Sequence, residues 1–326
     1  MDLKELGERE TISRLRNIIG STSDLGMGED DCAVVSLGGG TLLLASTDMV
    51  MDTSHMLPGV KPRMVGQFAV EIAVSDVAAM GGRPIGVLCG YAMPFYTDIH
   101  WLEQVTTGMT ETAKVLGTSV LGGDTKASPE PTIAVTALGL VDGGSCMYRS
   151  GAKKGDVLLL TGPVGGPALG YNMERYPEGT LKDPALELVY GVRARKMAGM
   201  ALAASGHAHA CIDLSDGFAP CLHQLLESSN KGAEVRWNNI PLVDGLEEYA
   251  YVWDKDLREL ALNWGGEYEL LAAIDPDGVE PLMEDMGRLG LEPAIVGRVM
   301  EGRKTIIIDD IGRGVLRPHG FDHFQG

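Results

Sequence analysis

Aspartates in unusual positions are the residues of this sequence best suited to chemistry. Five lie beside apolar runs and next to Gly, Ser or Thr: Asp48, Asp76, Asp124, Asp213 and Asp216. A carboxylate among apolar residues is energetically costly unless a cation or a metal ion compensates its charge. One such aspartate is explained equally well by a structural role, as a helix cap or a buried ion pair, and by a cation site. Five of them, together with the adjacent pair Asp30-Asp31, favour a shared cation site.

The position of Asp76 shows why these acids are unusual. Apolar residues recur at helical spacing from residue 65 to residue 80, which predicts a helix over 62–80. Asp76 falls on the apolar side of that helix. Carboxylate oxygens without a His or Cys cluster favour Mg²⁺ over zinc. The set His207-x-His209-x-Cys211 is better explained by the alternation of side chains along a strand.

Charge and length limit the classes of function. The chain has 326 residues, which suggests two domains or one large one, and a net charge of −18. Nucleic acids and anionic membranes are bound by basic surfaces, so neither is an expected partner. A phosphorylated small molecule is compatible with this charge if metal ions supply positive charge. We expect neither a signal peptide nor a membrane span, and five cysteines in mostly apolar stretches predict free thiols in a cytoplasmic protein.

Strand-like and helix-like segments alternate in both halves of the chain, which predicts an α/β or α+β protein. The runs CAVVSL and TLLLAST flank Gly38-Gly39-Gly40 and predict a tight hairpin. A glycine-rich, charged segment at 142–156 marks the expected boundary between domains at 1–147 and 148–326. In the second half, a strand VLLLTG precedes a glycine-rich helix start, and one long helix is expected near 184–205.

Common nucleotide-binding signatures are absent from the sequence. There is no G-x-x-x-x-G-K-[ST], no G-x-G-x-x-G placed after a strand, and no set of protein-kinase motifs. The segment 162–166, GPVGG, is explained equally well as an anion-binding helix start or as a tight turn. Arg149, in a glycine-rich loop, is either a phosphate clamp or an ordinary surface residue.

A series of short motifs resembles one known family. The segments occur in the order GEDDCAVV, STDMVMDTSH, VSDVAAMGGRP, LGGDT, RSGAKKGD, TGPVGG, IDLSDGF and GGEYELL. Together they resemble the thiamine-monophosphate kinase family, within the superfamily of aminoimidazole ribonucleotide synthetase, over nearly the full chain. The resemblance implies a two-domain PurM-like fold, with an N-terminal mixed sheet that forms a homodimer interface and a C-terminal α/β sandwich. It also implies that ATP and several Mg²⁺ ions occupy a cleft between the domains, where thiamine monophosphate is phosphorylated.

The resemblance assigns roles to individual residues by motif position. The implied metal ligands are Asp30, Ser46, Thr47, Asp48, Asp76, Asp124, Asp213 and Asp216. Gly123, Arg149 and Ser215 would contact ATP, and Asp124, Asp216 and Arg149 would lie at the reacting groups. His55 would contact the substrate phosphate. Glu267 and Phe321 would bind the thiamine moiety, where an aromatic ring can stack on a cationic heterocycle.

Departures from the family pattern fall mainly at or near the residues that the resemblance assigns to substrate binding. The usual Gly-Gly-Glu-Asp-Tyr-Glu-Leu lacks its Asp in Gly265–Leu270, and Phe321 replaces the usual Trp. The loop before Asp30 carries an extra Glu29, and Asp52-Thr53 replaces the usual Glu-Gly. These changes leave two alternatives: a related ATP-dependent enzyme of the superfamily, or a non-catalytic ATP-binding paralogue.

Each related enzyme of the superfamily has an expected sequence feature that this chain lacks. Selenophosphate synthetase would carry a reactive Cys with a nearby Lys, whereas Cys32 lies beside Asp31 with no lysine near it. The hydrogenase-maturation enzyme would end in a Cys, whereas this chain ends in FDHFQG. Aminoimidazole ribonucleotide synthetase would have an early GVGTK-like segment, which is not found.

Overall fold

Two β-sheets, one from each half of the chain, organise the molecule. The computed structural model describes residues 2–20, 30–174 and 182–319. Within these described ranges, the first sheet has five strands and the second has seven. Among the described residues, no helix combines the length and apolarity needed to cross a bilayer. All five cysteines are free thiols.

The N-terminal sheet is mixed. Its strands are β1 (Ala33–Gly38), β2 (Thr41–Met51), β3 (Arg83–Met93), β4 (Val120–Ala127) and β5 (Thr132–Asp142). They are ordered β1-β2-β5-β3-β4, with only β3 and β4 parallel to each other. Gly38, Gly39 and Gly40 all have positive φ angles, which glycine adopts readily, so the predicted hairpin is confirmed.

The helices of the N-terminal half are α1 (Leu3–Leu6), α2 (Glu8–Gly20), α3 (Asp52–His55), α4 (Pro62–Ala79) and α5 (Ile99–Val115). Helix α4 packs on strands β2, β3 and β5 and so covers one face of this sheet, and α5 packs beside it. Helix α4 is buried over most of its length, as its apolar spacing predicts. Helices α4 and α5 pack closely because glycines lie at their crossing. A Cβ on Gly66 would lie 1.9 Å from the Val105 carbonyl oxygen, and one on Gly108 would lie 2.1 Å from that of Arg63.

The C-terminal sheet carries helices on both faces. Its strands are β6 (Val157–Leu160), β7 (Ala208–Asp213), β8 (Gly232–Arg236), β9 (Leu270–Ile274), β10 (Ala294–Met300), β11 (Thr305–Ile308) and β12 (Arg313–Val315), ordered β12-β11-β8-β10-β6-β9-β7. The helices are α6 (Gly166–Glu174), α7 (Lys182–Tyr190), α8 (Lys196–Ser205), α9 (Phe218–Ser228), α10 (Leu246–Val252), α11 (Leu257–Leu262) and α12 (Val279–Arg288), with 3₁₀ turns at Trp237–Asn239 and Pro276–Gly278. Leu158 and Leu160 enter one apolar core and Leu159 enters the other, since strand side chains alternate. The predicted α/β sandwich and the two-sheet fold class are confirmed.

One predicted element was wrong. The expected helix near 184–205 is two helices, α7 and α8, separated by 191–195. Polar contacts hold the break: the Ala194 amide donates to the Glu71 carboxylate over 2.7 Å, and Arg195 Nε donates to Glu269 over 2.7 Å. Helices α3, α10 and α11 were not predicted. The first sheet ends at Asp142 and the second begins at Val157, while the boundary at 147/148 stays a prediction.

Candidate active site

Three carboxylates meet where the two halves of the chain touch. Asp31 precedes β1, Asp76 lies in the last turn of α4, and Asp213 ends β7. One carboxylate oxygen from each lies within 4.8 Å of the others, a spacing that a single metal ion can bridge. We call Asp31, Asp76 and Asp213 the acid cluster. Ser75, beside Asp76, donates a hydrogen bond to Asp213 Oδ2 over 2.6 Å and so joins the two halves.

Strand β2 adds two further oxygen donors on the α4 side of the N-terminal sheet. Ser46 donates a short hydrogen bond to Asp76 Oδ2, and the Asp48 carboxyl lies close enough to Asp76 for their charges to interact. The alternation of a strand places residues 46 and 48 on the same face. The predicted set Ser46, Asp48, Asp76 and Asp213 is therefore brought together in space.

Burial and mutual repulsion raise the pKa values of these carboxyls. Burial, followed by the charge of Asp31, raises the pKa of Asp213 to about 8. Burial raises the pKa of Asp48 to about 6. The pKa of Asp76 is well above its usual value because of burial and then the charges of Asp48 and Asp213. Such shifts mark a site where negative charge is concentrated without enough positive charge.

Buried carboxylate oxygens around the cluster accept no hydrogen bond from the described residues. These oxygens are Asp31 Oδ2, Asp48 Oδ2 and Asp213 Oδ1. Buried polar atoms are normally paired, so unpaired oxygens in one place indicate a missing ligand. Hard oxygen donors with net negative charge suit Mg²⁺. The residues present therefore fit the magnesium site expected from the sequence.

Arg149 connects the acid cluster to the C-terminal half. Its Nη2 donates to Asp31 Oδ1 over 2.7 Å, and its Nη1 donates to Gln224 Oε1 over 2.9 Å. Gln224 in turn donates to Asp216 Oδ2 over 3.0 Å, which places Asp216 at the end of the same polar chain. The Arg149 backbone amide donates to Asp30 Oδ1 over 2.8 Å. Arg149 is thus a partly buried linker and not an ordinary surface residue.

Two predicted metal ligands lie apart from the cluster. Thr47 points to the opposite, open face of the N-terminal sheet, where its hydroxyl lies 2.8 Å from that of Thr136. Asp124 lies on edge strand β4 with 69% of its side chain exposed, 3.1 Å from Lys126 Nζ. Its neighbour Gly123 lies so close to β3 that a Cβ would come within 1.7 Å of the Cys89 carbonyl oxygen.

The predicted substrate residues lie on both halves of the chain. His55 ends α3, with its Nδ1 2.6 Å from the Ser54 hydroxyl. Glu267 is 6% exposed, and its Oε1 accepts the Gly165 amide over 3.2 Å. Its Oε2 is buried without a hydrogen-bond partner among the described residues, and burial raises its pKa to about 8. Phe321 lies outside the described residues.

The loop that carries Ser215 packs on the segment before Glu267. The Gly266 amide donates to the Ser215 carbonyl over 2.8 Å, and a Cβ on Gly265 would lie 2.3 Å from that oxygen. The paired glycines of GGEYELL therefore allow two backbones to approach closely. This contact links the predicted nucleotide residue Ser215 to the predicted substrate residue Glu267.

The residue roles assigned from the sequence omit three contributors to the site. Asp31 belongs to the acid cluster, although Asp30 was the member of the pair chosen as a ligand. Ser75 and Gln224 were not singled out. Asp31 had a signal, since it was noted as half of an acidic pair before a strand. Ser75 and Gln224 have ordinary sequence contexts, and only their positions in space give them a role.

Two family models together match most of the chain. The model described as "AIR synthase related protein, N-terminal domain" matches residues 29–141, and "AIR synthase related protein, C-terminal domain" matches residues 153–310. The fold and the acid cluster thus define an enzyme of the AIR synthase related class, to which this chain belongs.

Similarity to named proteins identifies one family within this class. A thiamine-monophosphate kinase of Methanospirillum hungatei is 30% identical over 92% of this chain and 94% of its own length. One of Halobacterium salinarum is 33% identical over 86% and 90%. The solved structure "AaThiL complexed with AMPPCP and TMP" is 26% identical, with a TM-score of 0.86 over 99% of each chain. Within the class, the chain is a member of the thiamine-monophosphate kinase family.

Proposed function

We propose that this protein transfers the γ-phosphoryl group of ATP to thiamine monophosphate and so forms thiamine diphosphate. The observation that carries the proposal is the acid cluster, whose unpaired buried oxygens lie between the two halves of a kinase-family fold. Relatives named for this activity and a neighbour solved with AMPPCP and TMP support the same assignment.

Magnesium ions are the cofactor that these residues suit. Asp31, Asp48, Asp76 and Asp213 would hold them, with Ser46 as a neutral oxygen donor. Asp30 and Asp216 lie at the ends of the Arg149 network and would act as further ligands. When bound, Mg²⁺ neutralises charge on the transferring phosphoryl group and aligns the two anions.

The chain's own residues would position the two substrates. We assign Arg149, Ser215 and Gly123 to ATP, and His55 to the acceptor phosphate. We assign Glu267 and Phe321 to the thiamine moiety. The positively charged thiazolium ring would supply the positive charge that the buried Glu267 carboxylate lacks, and so favour its ionised form.

The transfer itself needs little covalent help from the protein. A terminal phosphate oxygen of thiamine monophosphate is anionic at neutral pH, so it can attack without a strong general base. We therefore propose direct in-line transfer without a phosphoenzyme. Rapid quenching after mixing with ATP labelled at the γ-phosphate tests this proposal, because a labelled protein intermediate that forms and decays with turnover would contradict it.

We also propose that the protein is a cytoplasmic homodimer, in which two copies associate through the open face of the N-terminal sheet. Large apolar side chains are exposed on Met49, Leu88 and Leu121, by 49%, 41% and 57%. Exposed apolar surface on a sheet favours association. Thr47 and Asp124 lie on this open face of the sheet. Any part that they take in metal binding therefore depends on the association of two copies of the chain. Light scattering tests this arrangement: wild type should be a dimer and Leu88→Glu a monomer.

A product assay tests the function. Purified protein, ATP and Mg²⁺ are incubated with thiamine monophosphate or with thiamine, and products are separated by chromatography. We expect thiamine diphosphate from the monophosphate and no phosphorylated product from thiamine. ATP binding without product from the monophosphate would favour a non-catalytic paralogue or a different phosphorylated acceptor.

A further inference from the structure

A tyrosine from the C-terminal half supports the segment that carries His55. Tyr190, the last residue of α7, is completely buried. Its ring packs edge-on against Phe68 of α4, with centroids 5.5 Å apart. The Tyr190 carbonyl accepts a hydrogen bond from Gln67 over 3.2 Å. Tyr190 therefore lies firmly inside the N-terminal core although its helix belongs to the other half.

The hydroxyl group of Tyr190 holds the backbone on both sides of Met56. It donates to the His55 carbonyl oxygen over 2.7 Å and accepts from the Leu57 amide over 2.7 Å. A hydroxyl can serve as donor and acceptor at once, so one side chain replaces two backbone partners. The C-terminal end of α3 is fixed by this pair of contacts.

A second tyrosine reaches the same segment. Tyr171, on α6, donates to the Ser54 carbonyl over 3.3 Å, and its ring lies 6.0 Å from that of Trp264. Helices α6 and α7 thus both contact the short helix α3.

Contacts with neighbouring segments hold the α3 segment in place. The Asp52 amide donates to the Pro131 carbonyl over 3.1 Å, and the centroid of the His55 ring lies 6.4 Å from that of Phe68. Helix α3 has four residues, none of them buried, and no side-chain cap at its start. Isolated helices of this length are not stable without tertiary contacts. The position of the His55 imidazole therefore depends partly on what holds the backbone around it. Of the tyrosine contacts to this backbone, the two made by Tyr190 are the shortest.

We propose that Tyr190 is a positioning residue for the acceptor-phosphate site, acting through the backbone of His55 and Leu57. This inference rests on the proposed function, in which His55 contacts the phosphate of the acceptor. Removing the hydroxyl frees the α3 segment while leaving the acid cluster and the nucleotide residues unchanged. Binding of the acceptor is affected and binding of ATP is not.

Tyr190→Phe is the variant that tests the proposal, because it keeps the packed ring and removes only the hydroxyl. Tyr249→Phe is the matched control, since it removes a tyrosine hydroxyl from a buried ring in the C-terminal core. The substitution removes both hydrogen bonds to the backbone beside His55, so we expect KM for thiamine monophosphate to rise about tenfold in Tyr190→Phe. KM for ATP should stay within about twofold of wild type, and Tyr249→Phe should change neither KM.

Hydrogen exchange separates failure of this inference from failure of the proposed function. The Leu57 amide should exchange faster in Tyr190→Phe than in wild type. Unchanged exchange at Leu57, or equal changes in both KM values, would overturn the positioning role. If wild type neither binds nor phosphorylates thiamine monophosphate, the proposed function fails, and with it the acceptor role of the segment. The exchange data would then show only whether Tyr190 holds α3.

Discussion

Ser75 of helix α4 donates a 2.6 Å hydrogen bond to the Asp213 carboxylate at the end of strand β7. The contact joins a helix from the first half of the chain to a strand from the second, and both residues are fully buried. It leaves Asp213 Oδ1 without a hydrogen-bond partner among the described residues. One oxygen of Asp213 is thus fixed by the protein and the other is available to a cation.

Magnesium binding should release protons. The pKa of Asp213 is raised from 3.8 to about 8 and that of Asp48 from 3.8 to about 6, so at pH 7 without metal Asp213 is mostly protonated. A metal ion needs the deprotonated carboxylates. Affinity for Mg²⁺ should therefore rise between pH 6 and 8, by up to about tenfold per pH unit for each carboxyl that loses its proton. Calorimetry in buffers of different ionisation enthalpy would measure the released protons, and affinity that does not vary with pH would contradict the assignment.

Asp213→Asn should stabilise the metal-free protein while it removes the response to metal. Above pH 8 the substitution eliminates a buried, repelled charge, and the amide oxygen can still accept from Ser75. We expect the free energy of unfolding at pH 8.5 to rise by about 1–3 kcal/mol. The melting temperature should no longer rise on addition of ATP and Mg²⁺. Glu280→Gln, at an exposed position on α12, is the control and should retain the shift.

Glu71 should make stability depend on pH independently of the metal site. Burial raises its pKa from 4.5 to about 7, even though the Ala194 amide and Arg193 favour its ionised form. Because the folded pKa is the higher one, this contribution to stability is complete below pH 4.5 and is lost as pH rises through 7. The size is on the order of 3 kcal/mol. Denaturant unfolding between pH 5 and 8 should show a flatter profile for Glu71→Gln, and parallel profiles would count against this account.

The crossing of α4 and α5 should not tolerate a side chain at Gly66. A Cβ there would lie 1.9 Å from the Val105 carbonyl oxygen, so the helices would have to separate. We expect Gly66→Ala to destabilise the protein by about 2 kcal/mol or more. Gly287→Ala is the control, because its Cβ would have no neighbour within 4 Å on helix α12. That change should stabilise by about 0.5–1 kcal/mol. Urea titration of both variants would show whether their changes in the free energy of unfolding have opposite signs.

Much of the fold could be predicted from local patterns. The apolar spacing of α4 and the three glycines at the turn between β1 and β2 each specify one local structure, and both are found. The break between α7 and α8 could not be predicted this way. It depends on Glu71 and Glu269, which lie far away in the sequence and meet residues 194 and 195 only after folding.

The residues of the candidate site also divide into those that the local sequence predicts and those whose place depends on folding. Asp48, Asp76 and Asp213 stood out because acids beside apolar runs are costly, and the family resemblance added Ser46. The structure brings these four residues together. Motif position alone could not show that Thr47 and Asp124 lie on the open side of the sheet, because that depends on strand alternation and on which face the helices cover.

Product formation as a function of Mg²⁺ concentration tests the central claim most directly. Wild type and Asp213→Asn are each incubated with ATP and thiamine monophosphate, and thiamine diphosphate is quantified. We predict product from wild type only when Mg²⁺ is present, and a rate at least about 10²-fold lower for Asp213→Asn at every Mg²⁺ concentration. Product without a divalent cation, or an undiminished rate for Asp213→Asn, would contradict the account.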